Sequence, residues 1–222
     1  MSKLTKEPTG QFSPYYGCAI MLIAILVFGG MLGWGFYSLS RQDADIAQFT
    51  VEHPVPPMGL KLGEAELPAL KAKLAAFAEE EKAHRPATLS LSVAELNSLI
   101  DLAPDTGAGS FREMIAFKAL KPDHELVADV SLPLNKMKFW EGRRYAVGEA
   151  TFTSEIVKDT GPDLRLTTLT IPGKPVNEGF LNALSSWHWL TPYQKLPALA
   201  PVFKEVKNIS VTSSGVVLST QE

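Results

Sequence analysis

Between Glu7 and Arg41 the chain carries no charged side chain. Inside that interval residues 17–37, "GCAIMLIAILVFGGMLGWGFY", are long enough to cross a hydrocarbon core of about 30 Å as a helix. Ile20, Leu22, Ile23, Ile25, Leu26, Val27, Phe28, Leu32 and Phe36 each favour insertion, together by about 3–5 kcal/mol. Tyr15 and Tyr16 at one end, and Trp34 and Tyr37 at the other, stand where interfacial aromatics belong. A cleaved signal peptide is the alternative. However, the apolar run exceeds an ordinary h-region and no small-x-small site follows it. A signal-anchored, single-pass membrane protein is therefore expected, with a tail over residues 1–14 and a transmembrane anchor over 15–38.

Lys3 and Lys6 precede the span, whereas only Arg41 follows it closely, among Asp43, Asp45 and Glu52. The positive-inside rule then places the N-terminus in the cytoplasm and the C-terminal domain outside it. Gly29 and Gly33 form a GxxxG pair, a helix-packing face through which a homodimer is conceivable. Glycine is common in membrane helices, so the pair alone does not decide the oligomeric state. Cys18 is the single cysteine, which rules out an intrachain disulfide and a cysteine-based zinc site. A net charge of -3 argues against nucleic acid, because phosphate binding needs clustered Lys and Arg.

Residues 39–60 show no sustained period and end in a proline cluster, so an extended linker is expected there. Residues 61–86 read as an amphipathic helix with Leu67, Leu70, Leu74 and Phe77 on one narrow stripe. That stripe can pack on its own domain or pair with another helix. Residues 87–222 form the expected α+β domain. In "LSLSVAELNSLI" Ser92 is an N-cap with Glu95 three residues on, which makes a capping box. Val93, Leu96, Leu99, Ile100 and Ala103 mark the buried face of this helix, and Asn97 at its edge needs backbone partners, as architecture and not chemistry.

Strands are expected over residues 114–120 and about Leu126, Ala128, Val130 and Leu132. Residues 145–157 and 164–171 form a hairpin about "KDTGPD". A second helix starts at Asn177 and runs through Phe180, Leu181, Leu184 and Trp187 to Leu190. A final hairpin joins residues 207–212 and 216–220. "LNSL" (residues 96–99) and "LNAL" (residues 181–184) both begin four positions after their proposed caps. This echo suggests two β-α-β-β halves bridged by the 145–157 strand, giving a curved antiparallel sheet packed by two helices.

Sequence motifs for catalysis are absent: no G-x-S-x-G elbow, H-E-x-x-H, P-loop or dinucleotide fingerprint occurs. None of His53, His84, His124 and His188 has a second histidine or a carboxylate at ligand spacing along the chain, so no metal and no cofactor is expected. Asp101 and Asp105 flank a helix end and read as solvated loop acids. The unusual stretch is "SSWHWLTPY", because two tryptophans in three residues cannot share one helical face. One should fill the core and the other cap the helix end or line an opening. Trp140, Tyr145, Phe180, Leu184, Trp187 and Trp189 are the candidate contacts for an apolar ligand or partner. A well-filled core edge is the plainer reading of the same residues.

The stretches "LSLSVAELNSLI", "LVADVSLPL", "GRRYAVGEATF", "LRLTTLTIPGKPV" and "NISVTSSGVVL" resemble the YpmS-like family of bacterial signal-anchored proteins of unknown function. More loosely, they resemble tubular lipid-binding-like envelope domains. The family tends toward a "dG" or "nG" turn where this chain has "KDTGPD". The resemblance implies an extracytoplasmic module in a bacterial envelope that binds apolar ligands, and it carries over no catalytic residue. Three functions remain open: a non-enzymatic domain that binds a lipid, another apolar ligand or a protein partner, a scaffold or subunit of a membrane complex using the glycine face and the Leu70/Leu74/Phe77 stripe, and a hydrolase with no recognisable motif. Co-purifying lipid, crosslinking of the anchor and turnover lost on one polar substitution would separate them.

Overall fold

The computed structural model describes residues 14–103, 111–121, 125–134, 143–197 and 199–221. The chain divides into two compact units, Met1–Ile46 and Ala47–Glu222. The first is dominated by helix α1 (Pro14–Phe49), which is long and apolar enough to cross a membrane, with a mean hydropathy of 2.2 over its best window. Its 36 residues reach about 54 Å, well beyond the core it would span. The expected linker from residue 39 is thus corrected: the helix continues to Phe49. "RQDADIAQ" contains no glycine or proline, and extending a helix already nucleated is cheap for such residues.

In the second unit residues 50–60 of the expected linker, with 61–62 of the expected helix, lack regular structure, and they are not a free spacer. Val51 exchanges both backbone hydrogen bonds with Tyr145 (2.9 and 2.8 Å). The Val55 N–H donates to Ser131 Oγ and the Leu62 N–H to Ser98 Oγ (3.3 and 2.9 Å). Arg144 donates to Thr50 Oγ1 and to the carbonyls of Thr50 and Ala47, where a cation suits the end of a helix. Pro54, Pro56 and Pro57 stiffen what lies between. The segment is a strap bound to the domain.

Helix α2 (Leu67–Lys82) buries Leu70 and Phe77 and packs on strand β1 (Thr88–Leu91) and the short helix Ala200–Glu205. It ends in a Schellman motif, with Arg85 N–H on Glu80 O and His84 N–H on Glu81 O, and His84 takes the left-handed position at φ 52°. In helix α3 (Val93–Leu102) the capping box forms: Ser92 N–H donates to Glu95 (2.8 Å) and Glu95 N–H to Ser92 Oγ (3.3 Å). Burial opposes ionisation of Glu95, but hydrogen bonds from Lys73 and Ser92 outweigh it and hold the carboxyl below its ordinary pKa. The buried face differs from the expected one. Asn97 and Ser98 are its buried residues, while Val93, Leu96, Leu99 and Ile100 are half-buried, because the strap and strand β2 close over the polar pair.

The domain has two antiparallel sheets where one curved sheet was expected, and neither closes into a barrel. The larger has the order β2 (Ile115–Lys121), β3 (Glu125–Leu134), β4 (Arg144–Val157), β5 (Gly161–Thr170). The smaller has the order β1, β7 (Val216–Ser219), β6 (Asn208–Val211). Register shifts at Phe117/Ala119 and Thr151/Phe152 bend the larger sheet. Leu126, Ala128, Val130 and Leu132 share a buried face as expected, but Val127 and Ser131 are buried too, Ser131 beneath the strap. Lys118 bridges Asp129 and Glu149 (2.9 and 2.6 Å), and these hydrogen bonds raise its pKa.

The repeat of connectivity is present. Each half sends its lone strand, β1 or β5, to one sheet and its hairpin to the other. Strand direction does not repeat. The bridging strand β4 runs antiparallel to β3 and β5, which makes those two parallel, whereas their counterparts β7 and β1 are antiparallel.

Two further boundaries move. Strand β5 begins at Gly161, so the turn is residues 158–160 and Pro162 and Asp163 lie in the strand, opposite Ile156 and Glu155. Asp159 and Gly161 carry the positive φ values that reverse the chain (69° and 91°), and a proline is tolerable because β5 is a sheet edge. Helix α4 (Glu178–Ser185), capped by Asn177 on Gly179 N–H (2.7 Å), stops short of the expected Leu190. Its continuation is drawn instead onto β5, as described below.

Candidate functional site

The larger sheet has two edges, β2 and β5, and a buried polar side chain pins irregular chain to each. At the β2 edge stands Asn97, 2% exposed. Its Oδ1 accepts from Phe117 N–H and its Nδ2 donates to Phe117 O, both at 2.8 Å. This is the pair of bonds a neighbouring strand would make, supplied at the bulge by an amide side chain. The second Nδ2 hydrogen goes to Leu60 O in the strap (2.9 Å). Three of its four bonding positions are met by backbone, which leaves little for chemistry. Gly59 fits here because a Cβ would come within 2.6 Å of Asn97 Nδ2 and 2.9 Å of Ala116 Cβ.

Beside this junction lies a cavity of about 250 Å³, lined among others by Pro56, Pro57, Asn97, Asp101 and Arg112. Its rim carries the Lys61–Asp101 ion pair (2.7 Å), and Arg112 donates to the carbonyls of Asp101 and Ala103. It falls below the usual size of a ligand pocket, and its lining is charged rather than aromatic. Asp105, weighed above with Asp101, lies outside the described residues.

At the β5 edge stands Asp163, 1% exposed. Its Oδ1 accepts from Leu190 N–H (2.9 Å) and its Oδ2 meets His188 Nδ1 (2.5 Å). Trp189 N–H reaches Leu164 O (3.3 Å), and Gln194 Nε2 reaches Pro162 O (2.8 Å). Ser186 and Trp187 N–H still bond back to Asn182 O and Leu184 O, whereas Trp189 and Leu190 N–H bond to β5 in place of the helical bonds they would have made, so the helix does not continue. Glu155 lies opposite Asp163 in register, and Arg165 pairs with it at 3.0 Å. One donor atom each from Glu155, Asp163 and His188 lies within 4.8 Å of the other two. Chain spacing conceals this set, since two facing strands and a loop assemble it. Strand alternation places Asp163 on the face of Arg165, opposite Leu164 and Leu166, so the sequence carries no signal for its burial, which comes from residues 188–190.

The aromatic set divides. Trp189 is 8% exposed, packed edge-on against Phe152 (5.4 Å between centroids) and against Phe111 (6.4 Å), with its buried indole N–H unpartnered. Trp187 is 55% exposed and leans on Trp189 at 5.7 Å between centroids, the rings tilted by 42°. Leu184 is buried, Phe180 rests half-buried on Phe49 (5.0 Å), and Tyr145 is half-buried where its backbone meets Val51. Among the described residues no ring contact joins Tyr145 or Phe180 to the tryptophans. Trp140 lies outside the described residues. The described members fill the core edge, and Trp187 alone stands open. In the first unit a Cβ at Gly29 or Gly33 would meet nothing within 4 Å, so the small-residue face is unobstructed. No family model, no curated protein and no solved structure matches the chain, so the chemistry of the site rests on these side chains alone.

Proposed function

We propose that this is a single-pass membrane protein whose folded domain lies outside the cytoplasm and works by binding a membrane-associated protein partner at its surface, not by catalysis. The observation that carries this reading is the strap. It is fixed to the domain at Val51, Val55, Leu60 and Leu62, yet it presents Val55, Met58 and Leu60 to solvent at 53%, 93% and 72% exposure. Apolar side chains held in place on a surface favour an interface, because little order remains to be imposed on binding. The basic residues Lys3 and Lys6 before the span favour the orientation. In the α2 stripe Leu70 and Phe77 are buried and Leu67 and Leu74 half-buried, which favours the strap over α2 as the docking face.

A second reading, an apolar ligand such as a lipid, is favoured by one residue, the open Trp187. Photocrosslinking separates the two. A photoreactive residue at Met58, Leu60 or Trp187 of the full chain, activated in native membranes, should give one protein adduct of defined mass at the two strap positions and none at exposed Lys121. Lipid adducts at Trp187 with none on the strap would transfer the assignment to the apolar ligand. Absence of adducts at all three positions would contradict both.

A further inference from the structure

Asp163 is a carboxylate removed from water, and its partners are a backbone N–H and an imidazole, neither of which is a permanent cation. Such a group is best served by a positive partner. Arg165, the nearby cation, is engaged by Glu155. We propose that Glu155, Asp163 and His188 form a binding site for a divalent transition-metal ion of the zinc type.

The donor set fits. One imidazole and two carboxylates suit zinc-type ions, whereas calcium and magnesium prefer more ligands and oxygen alone. The frame fits too, because Glu155 and Asp163 are register partners on paired strands, and His188 is held over them by Leu190 and Trp189. In a tetrahedral site at about 2.0–2.2 Å, ligand atoms stand about 3.5 Å apart. The present separations of up to 4.8 Å close by a swing of Glu155, whose side chain is 35% exposed. The 2.5 Å contact between His188 and Asp163 must open, releasing the proton it shares to solvent as the ion takes its place. His188 is half-exposed, so the fourth position faces solvent and holds water.

The test uses the full chain in detergent, stripped by a chelator and titrated with zinc chloride by calorimetry. Cobalt(II) serves as a second probe through its absorption and its quenching of the flanking Trp187 and Trp189. One ion should bind per chain. Loss of an outer-shell partner alone costs about 10–100-fold in affinity, so Glu155→Gln and His188→Ala should each weaken binding by more than about tenfold. Arg165→Gln, which frees Glu155, should tighten it a few-fold. Glu155→Gln leaves both Asp163 contacts in place, so the fold survives it and its loss of binding is read without a folding effect. Lack of saturable uptake by the wild type, or uptake unchanged in both Glu155→Gln and His188→Ala, overturns the proposal.

Discussion

Asn97 and Asp163 occupy comparable places and teach different things. Each is almost fully buried, each lies at an edge of the same four-stranded sheet, and each fastens an irregular segment to it. Asn97 is neutral, and all its partners are backbone groups. Asp163 carries a charge and faces two side chains that can also bind protons or metals. The first is therefore architecture alone, while the second has capacity left over for chemistry.

Exchanging the two side-chain chemistries should expose this difference. Asn97→Ala leaves Phe117 N–H, Phe117 O and Leu60 O without partners and should destabilise the domain by about 3–4 kcal/mol in denaturant unfolding. Asn97→Asp should be equally damaging, because a carboxylate cannot donate to the two carbonyls. The reverse exchange, Asp163→Asn, keeps an acceptor for Leu190 and should cost only about 1–2 kcal/mol. Equal effects at the two positions would erase the distinction.

Glycines beside the junctions give the next largest effects. Gly161→Ala demands a left-handed alanine whose Cβ lands on the Phe203 carbonyl, and should cost about 2–3 kcal/mol. Gly59→Ala meets the end of the Asn97 side chain and should cost about 1–2 kcal/mol, accompanied by loosening of the strap.

Smaller effects lie away from both edges. The Glu95 carboxyl is held below its ordinary pKa in the fold, so the stability it contributes is present above the unfolded-state pKa and is lost as pH falls through the folded one. Glu95→Gln should therefore flatten the acid limb of a stability-against-pH curve and leave its alkaline side unchanged. His84→Gly relieves a left-handed histidine in the α2 cap and should raise stability by about 0.5–1 kcal/mol.

What could be read from the residues follows contact distance along the chain. The helix long and apolar enough to cross a membrane is written in composition, and the capping box in a spacing of three, so both are legible. Asn97 announced itself as a polar residue beside an apolar face, but its partners lie 20 and 37 positions away. That α4 does not run on to Leu190 could not be read, because Leu164 O takes Trp189 N–H and Asp163, 27 positions earlier, takes Leu190 N–H. The same separation concealed the Glu155–Asp163–His188 set. Trp187 and Trp189 part as expected, but not for a helical reason, because both lie beyond α4 and the depth of each depends on β5.

The role of Asn97 and the fixed strap it creates are tested most directly by amide hydrogen exchange on the full chain in detergent. Val55 and Leu62 N–H, bonded to Ser131 and Ser98, should be protected in the wild type. In Asn97→Ala, Leu62 should lose that protection while the β3–β4 amides keep theirs. Exchange of Val55 and Leu62 at the rate of an unstructured chain in the wild type would contradict a pinned strap, and with it the surface on which the proposed function depends.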